Sequence, residues 1–317
     1  MKCDNVLDAI GHTPLVKINN FLPKNSPVNI YCKLEWLNPG GSVKDRTALG
    51  LIEKAERYGT LKPGSTIVES TSGNLGIALA MVCAIKRYRF ICVLDPKTPS
   101  SNINLLRSLG AEIDIVSETD ETGGYQKPRI RRVEEIVSST PDCINLDQYS
   151  NAAAREAHYS STGPEIYDDL EGKVDVLVGA VSTGGHLCGT AQYLKKKIPG
   201  ITVIGVEPEG SAIFGGDHHP YKQNGTGLSF RPKNYMAEFV DIEKKVRDID
   251  AFTMARQLAK KEGLLVGGSS GGVFHIALEH AETLKKKSNI VVLFPDGATK
   301  YADNVFCDEW MKENGFI

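Results

Sequence analysis

The sequence lacks a membrane span, a leader segment and a paired-cysteine motif. No apolar stretch approaches the roughly 20 residues that cross a bilayer, and the N-terminus has no signal-peptide core. The seven cysteines are scattered without a C-x-x-C pair, which favours reduced packing residues over disulfides or a zinc site. These absences predict a cytoplasmic protein that binds no metal and no membrane.

An excess of charge of one sign is also missing. The 37 Lys and Arg residues nearly balance the 39 Asp and Glu residues, and a net charge of −2 gives no reason to expect a nucleic-acid partner. We interpret the runs Lys195–Lys197 and Lys285–Lys287 as helix ends, where cations complement the helix dipole, rather than as binding patches. The pair His218-His219 lacks a nearby third ligand and is interpreted as part of a loop.

What the sequence does contain is a regular alternation of short apolar strands and amphipathic helices. The 317 residues suggest about two domains, and 41% hydrophobic residues is ordinary for a globular protein. The predicted strands lie at 66–68, 89–94, 112–116, 174–179, 202–206 and 289–294, and helices are predicted at 102–109 and 129–137. This order predicts an α/β protein with parallel sheets.

The stretch from Asn38 to Arg46 places a single lysine, Lys44, on a glycine-rich turn beside Asp45 and Arg46. A lysine amine attacks an aldehyde only when desolvation or a nearby cation lowers its pKa, and Arg46 is a candidate for that cation. The alternative is an ordinary helix start, capped by Ser42, with Lys44 solvated. The remaining motifs favour the first interpretation.

Three further segments combine a glycine-rich or hydroxyl-rich loop with a following apolar helix. They are Glu69–Gly76, Ala180–Gly189 and Gly267–Gly272. Free N–H groups at a helix N-terminus, flanked by glycines and hydroxyls, bind carboxylates and phosphates. One such loop is weak evidence, since many α/β folds use glycines only for packing, but the set predicts a site for anionic groups.

In this order the four motifs resemble the cysteine synthase and cystathionine β-synthase family of pyridoxal-phosphate enzymes. The resemblance runs from Asp8–Val16 through Val206–Pro208 to Phe294–Gly297. It implies PLP fold type II, which is tryptophan synthase β-like: two parallel-sheet α/β domains with the cofactor, pyridoxal 5'-phosphate, in the cleft between them. It also implies a small mobile domain at residues 42–144, a large domain of residues 1–41 plus 145–317, and a homodimer.

The resemblance assigns roles residue by residue. Lys44 is the catalytic residue, which carries the cofactor as a Schiff base and removes the substrate α-proton. The cofactor is further bound by Asn74, Ser182, Thr183, Gly184, Gly185, His186 and Ser269. Ser269, rather than Ser270, meets the pyridine nitrogen, and a neutral hydroxyl there favours β-elimination over long-lived carbanions. The substrate α-carboxylate is held by Thr71, Ser72, Gly73, Asn74 and Gln148.

Departures from the common cysteine synthase pattern indicate a subgroup. They are Ser70 for proline, Leu75 for threonine, Ser182 and His186 at the ends of the phosphate loop, and Asp147 and Tyr149 around Gln148. With Gly123-Gly124-Tyr125, in a loop predicted at 117–127 near the active site, and Arg129, they resemble the N-(2-amino-2-carboxyethyl)-L-glutamate synthases of siderophore biosynthesis. That resemblance implies a transferase that condenses O-phospho-L-serine with L-glutamate through an aminoacrylate.

A phosphate dianion and a dicarboxylate nucleophile both require extra hydrogen-bond donors, which Arg129, Tyr149 and Ser182 can supply. For Arg129 the alternative is a solvated basic helix face shared with Arg131 and Arg132. Three other functions stay open: a cysteine synthase that uses sulfide with O-acetylserine or O-phosphoserine, a cystathionine or lanthionine synthase, and a cofactor-binding protein without turnover.

Overall fold

The computed structural model describes residues 2–121 and 124–317. Gly123, part of the loop predicted at 117–127, lies outside these residues. Across the described ranges, no helix combines the length and apolar character that a membrane span requires.

The described residues form ten strands. Their bounds are Leu15–Ile18 (β1), Val28–Leu34 (β2), Thr66–Ser70 (β3), Arg89–Leu94 (β4), Glu112–Ile115 (β5), Cys143–Asn145 (β6), Val176–Ala180 (β7), Thr202–Pro208 (β8), Ile242–Val246 (β9) and Ser288–Phe294 (β10). They build a six-stranded sheet in the order β1-β2-β10-β7-β8-β9 and a four-stranded sheet in the order β5-β4-β3-β6. Every neighbouring pair is parallel except β1 and β2, which are antiparallel.

The described chain contains ten α-helices, of which nine lie between strands and α10 follows the last strand. Their bounds are Lys44–Arg57 (α1), Asn74–Lys86 (α2), Ser100–Ser108 (α3), Gln126–Ser139 (α4), Ala153–Ser160 (α5), Thr162–Asp169 (α6), Gly185–Lys197 (α7), Asp248–Glu262 (α8), Gly268–Thr283 (α9) and Asp308–Glu313 (α10). Crossover helices are what parallel strands require, because two parallel strands cannot be joined by a tight turn.

The apolar runs seen in the sequence are the centres of the sheets. In the larger sheet Ile290 pairs with Ile30 on one side and Val176 on the other, and all three are buried. Helix α2 is buried on every side from Leu75 to Cys83, because it packs between the smaller sheet and α1. Strands buried on both faces read as continuous apolar segments rather than as alternating ones.

One helix boundary differs from the sequence expectation. Helix α9 ends at Thr283, so Lys285–Lys287 lies in the following loop and does not close a helix, whereas Lys195–Lys197 does end α7. The division into domains at residues 42 and 144 remains a prediction, with the four strands of the smaller sheet falling between Thr66 and Asn145.

The carboxyl ends of both sheets face one another. Strand β3 ends at Ser70, β7 at Ala180 and β10 at Phe294, and the loops after these three strands line one cavity. Ligands in open α/β sheets bind at the carboxyl ends of strands, so the topology brings the sequence motifs together there.

Candidate active site between the two sheets

One cavity of about 220 Å³ collects the residues that the sequence singled out. The predicted site residues that line it are Lys44, Thr71, Ser72, Gly73, Asn74, Arg129, Gln148, Tyr149, Ser182, Thr183, Gly184, His186 and Ser269. Gly185 does not line it. Gly185 packs instead against the backbone of Ala154, where an added Cβ would lie 2.9 Å from the carbonyl oxygen.

Lys44 is the first residue of α1 and follows the glycine turn. Its backbone N–H donates to Ser42 Oγ at 3.2 Å, but the N-cap position is Val43, which has no side-chain cap, so Ser42 is not the N-cap that the alternative required. Lys44 itself lines the cavity. Burial lowers the pKa of Lys44 to about 8, against the opposing effect of the nearby Asp296 carboxylate. Arg46 is not the cause of this shift, because its guanidinium binds Glu35 and Glu165 instead.

Below Lys44, a buried ion-pair network fixes the start of α1. Arg46 donates to Glu35 at 2.7 Å and 3.0 Å and to Glu165 Oε2 at 2.7 Å. Lys33 Nζ lies 2.9 Å from Glu165, and Thr13 Oγ1 donates to Glu35 at 2.6 Å. Burial would raise the pKa of Glu165, but the hydrogen bond and charge of Arg46, together with Lys33, outweigh it and hold that pKa at about 2.

Asp296 is a site residue to which the sequence motifs assigned no role, although it lies within the motif Phe294–Gly297. The Asp296 side chain is 3% exposed and lines the cavity. Its Oδ2 accepts from Asn74 Nδ2 at 2.8 Å and from the Tyr301 hydroxyl at 2.7 Å, and Lys300 Nζ donates to the Asn74 side-chain oxygen. The Asn74 amide is thereby held in one orientation. A carboxylate two residues after an apolar strand is the signal that identifies Asp296 in the sequence.

The loop after β7 leads into the N-terminus of α7. Gly184 has φ +87°, and a Cβ there would lie 2.5 Å from the backbone nitrogen of Tyr235, so only glycine fits. The first N–H groups of an α-helix have no intrahelical acceptor, and those of α7 begin at Gly185, beside Ser182 and Thr183 of the cavity wall. This arrangement suits a phosphate group.

His186, in the first turn of α7, has an inaccessible Nε2 without a hydrogen-bond partner among the described residues. Its ring lies 4.9 Å from that of His158, which bonds to Thr47 Oγ1 at 3.1 Å and Thr162 Oγ1 at 2.9 Å. Burial lowers the pKa of His186 to about 4; Glu35 opposes this shift, and Lys44 and Arg46 add to it. His186 is therefore neutral at pH 7.

The loop Thr71–Gly73 joins β3 to the N-terminus of α2, so its hydroxyls and the first N–H groups of the helix face the cavity together. Gln148 is 6% exposed, and its backbone carbonyl accepts from Asn234 Nδ2 at 3.0 Å. These features suit a carboxylate.

Arg129 and Tyr149 both line the cavity. Arg129 lies on α4, its side chain is 15% exposed, and its Nη1 is 3.0 Å from Asp95 Oδ2. The Arg129 Nε has no hydrogen-bond partner among the described residues. Its neighbours Arg131 and Arg132 are 63% and 43% exposed, so Arg129 is not part of a uniformly solvated basic face. Tyr149 packs edge-on against Phe230, and burial raises its pKa, which keeps the phenol protonated.

The two serines of the fourth motif differ in position. Ser269 lines the cavity in the first turn of α9, whereas Ser270 does not line it and is fully buried. A desolvated lysine, a glycine loop at a helix N-terminus beside the unpartnered His186 Nε2, and the Ser269 hydroxyl together fit pyridoxal phosphate.

The buried carboxyl of Glu69, near the end of β3, should make the stability of the protein depend on pH. Burial raises its pKa from 4.5 to about 8, with a further contribution from Asp147. Between these two pH values the folded state keeps a proton that the unfolded chain has lost, so stability falls as the pH rises through this window. We expect Glu69→Gln to be more stable than the parent by about 2 kcal/mol near pH 9 and equal to it near pH 4, measured by urea unfolding. Equal stabilities near pH 9 would contradict this prediction.

Comparisons with known proteins agree with the cofactor that the geometry of the cavity fits. Residues 6–296 match the family model described as "Pyridoxal-phosphate dependent enzyme". The chain is 41% identical to rat cystathionine β-synthase over 99% of its own length and 57% of that protein's length. It is 40% identical to N-(2-amino-2-carboxyethyl)-L-glutamate synthase of Ralstonia nicotianae, covering 98% of this chain and 92% of that one. It is 41% identical to Staphylococcus aureus cysteine synthase, over 94% of this chain and 95% of that one.

Solved structures agree. An O-acetylserine-dependent cystathionine β-synthase from Helicobacter pylori superposes with a TM-score of 0.88 at 37% identity, covering 96% of this chain and 98% of that one. A hydrogen sulfide-producing enzyme from Fusobacterium nucleatum gives a TM-score of 0.88 at 39% identity, with 95% and 100% covered. The expected fold, PLP type II, is confirmed by these neighbours, with the antiparallel β1 as the departure from wholly parallel sheets.

Proposed function

Because this chain belongs to the family of pyridoxal-phosphate-dependent enzymes, in its cysteine synthase branch, we propose that it condenses O-phospho-L-serine with L-glutamate. The products are N-(2-amino-2-carboxyethyl)-L-glutamate and phosphate. Membership of the family makes the protein a pyridoxal-phosphate-dependent enzyme of β-replacement. The identities of the donor and the acceptor are what we propose.

The observation that carries the proposal is the set of donors beside Lys44. Arg129, Tyr149 and Ser182 line the same cavity as the lysine, and Arg129 Nε has no partner among the described residues. An unpaired buried guanidinium nitrogen costs free energy unless a ligand accepts from it. A phosphate or a second carboxylate is such a ligand, whereas sulfide is not.

When bound, pyridoxal phosphate supplies an aldehyde that joins amines and a ring that withdraws electrons from the substrate α-carbon. The residues that would hold it are Lys44, Asn74, Ser269 and the loop Ser182–His186. Ser269 would hold the pyridine nitrogen with an uncharged hydroxyl, and the absence of a negative charge at that position would favour loss of a leaving group at the β-carbon.

Lys44 also acts as the base. With a pKa of about 8, its Nζ is partly unprotonated near neutral pH and can accept the α-proton of the donor. The Thr71–Asn74 loop and Gln148 bind the α-carboxylate and orient that proton, since the hydroxyls and the α2 N-terminus face the same cavity as Lys44. Asp296 holds the Asn74 amide in the orientation required.

A thiol or sulfide acceptor is the second candidate. The relatives at 40–41% identity include cysteine synthase and cystathionine β-synthase as well as the glutamate-condensing synthase. The Arg129–Asp95 ion pair favours this candidate, because it already neutralises the guanidinium. The chain spans 57% of the length of rat cystathionine β-synthase, so the activity of that whole protein is not transferred here.

The deciding experiment mixes cofactor-loaded protein with O-phospho-L-serine, follows the absorbance of the bound cofactor, and then adds L-glutamate or sulfide in parallel. A mass spectrum containing the condensed amino acid supports the proposal. Reaction with sulfide alone makes the protein a cysteine synthase. No absorbance change with O-phospho-L-serine, together with a change on O-acetylserine, refutes the proposed donor.

Arg129→Ala gives a residue-level test. Loss of a charge-assisted hydrogen bond is expected to raise the KM for glutamate or lower kcat/KM by about 10- to 100-fold, while rates with sulfide change little. Arg131→Ala, on the same helix but exposed, is the matched control and should leave both activities unchanged. Equal losses of activity with glutamate and with sulfide would show that Arg129 binds the donor or stabilises the fold and does not bind the acceptor.

A cytoplasmic location, a homodimer and closure of the small domain (residues 42–144) over the substrate are parts of the same proposal. Light scattering coupled to size-exclusion chromatography tests the dimer. Small-angle scattering tests closure, and it should change when O-phospho-L-serine is added.

A further inference from the structure

A second cavity, of about 670 Å³, opens outside the one that contains Lys44. The two cavities share the wall residues Ser72, Gly73, Asn74, Arg129 and Gly225, so the outer one is the mouth of the same cleft. The lining residues of this mouth come from four segments, 95–102, 125–129, 224–225 and 300–304, together with the loop Ser72–Asn74. Neither Lys97 nor Thr98, which line the mouth, lines the inner cavity.

The charge of the mouth is positive. Among its described lining residues the charged ones are Lys97, Arg129 and Lys300 against the single carboxylate of Asp95. Lys97 Nζ lies 5.3 Å from the centre of the Tyr125 ring, which holds the ammonium beside the opening. An excess of cations in a concave site attracts anionic ligands.

Helix α3 begins in this mouth without an anion of its own. Its N-cap is Pro99, which has no side chain able to cap, and its first turn contains no acidic residue. The positive end of the helix dipole and the first free N–H groups therefore lie beside Lys97 without an acidic residue in the helix's own first turn.

Thr98 gives an independent indication of a ligand. It is 7% exposed, lines the mouth, and its Oγ1 has no hydrogen-bond partner among the described residues. The turn that presents it is fixed by Asp95, whose Oδ1 accepts from Lys97 N at 2.9 Å and whose carbonyl accepts from Thr98 N at 3.0 Å. A buried hydroxyl without a partner is costly, and a bound oxyanion would accept from it.

We propose that Lys97, Thr98, Arg129 and the N-terminus of α3 form an oxyanion-binding subsite at the mouth of the cleft. Its ligand is a carboxylate or phosphate group carried by a substrate. This assignment rests on the proposed function, in which the oxyanion is either the distal carboxylate of the acceptor or the phosphate of the donor. Asn102 Nδ2, in the first turn of α3, donates to the carbonyl of Ser72 at 3.0 Å, so the subsite is joined directly to the loop predicted to bind the α-carboxylate.

The test is calorimetric titration of the cofactor-loaded enzyme with glutarate, which has both carboxylates of glutamate but no amine, and separately with inorganic phosphate. We compare the parent with Lys97→Gln and Thr98→Val. Lys62→Gln, an exposed lysine away from both cavities, is the matched control. Binding of at least one anion should weaken by about 10-fold in Lys97→Gln and several-fold in Thr98→Val, and remain unchanged in the control. An unchanged cofactor absorbance shows that each variant is folded.

The two probes separate the sources of the oxyanion. Variant-dependent binding of glutarate assigns the subsite to the acceptor, and variant-dependent binding of phosphate alone assigns it to the donor. Binding of neither anion, or equal binding by all four proteins, overturns the proposal. Formation of the condensed product with an unchanged KM in both variants refutes the subsite while the proposed function survives. Variant-dependent glutarate binding without condensation refutes glutamate as the acceptor while the subsite survives.

Discussion

Lys44→Ala is expected to lower turnover by about 10³-fold or more, because the proposed function requires this one amine both to join the cofactor and to move the α-proton. The variant should remain folded. Burial of the Lys44 amine disfavours its charged form, so removing the amine also removes its desolvation penalty from the folded state. Steady-state assays with either acceptor, beside circular dichroism, measure both parts.

The matched control is Lys54→Ala on the same helix, where the lysine is ion-paired with Glu156 at the surface. It should retain parental activity. A Lys44→Ala protein with more than a tenth of the parental rate would refute the role of Lys44. A fully functional Lys44→Ala protein in the cell would instead support a cofactor-binding protein without turnover.

Arg46→Met is expected to destabilise the fold by about 3–5 kcal/mol, since it leaves buried carboxylates without their partner. Glu35 is fully inaccessible, and Arg46 contacts both Glu35 and Glu165. Urea unfolding at neutral pH measures the loss. Arg57→Met, exposed at the end of the same helix, should change stability by no more than about 0.5 kcal/mol.

The pH dependence supplies the second readout for this network. The pKa of Glu165 is about 2 in the folded protein, against an ordinary value of 4.5, so its ion pairs stabilise the fold above pH 4.5 and lose that contribution as the pH falls towards 2. In Arg46→Met this part of the acid dependence should largely disappear. An unaltered acid limb would show that the network does not set the pKa of Glu165.

Much of the site could be predicted because its residues come in short motifs. Lys44 on its glycine turn, the loop Thr71–Asn74 and the loop Ser182–His186 each follow or precede an element with a clear apolar pattern, and the cavity contains them all except Gly185. Glycine and hydroxyl loops at helix starts are local features, and local features are visible in sequence.

Other parts could not be predicted, because they depend on residues far apart in the chain. Asp296 lies 222 positions from Asn74, and its hydrogen bond to that amide exists only once β3 and β10 face each other. Arg46 was expected to lower the pKa of Lys44 as a neighbour in sequence, yet Glu165, 119 positions away, engages its guanidinium.

The sequence by itself determined the class of fold, the family and the groups able to bind an aldehyde, a phosphate and a carboxylate, since apolar periodicity and motif order are properties of the chain alone. The tertiary structure decided which groups are buried, which cations are already paired and which donors remain free. Arg129 paired with Asp95, the unpartnered Thr98 and the desolvated Lys44 all belong to this second kind. Burial and pairing are relations between distant segments, and they set the pKa values and the unsatisfied hydrogen bonds from which the chemistry of the cleft follows.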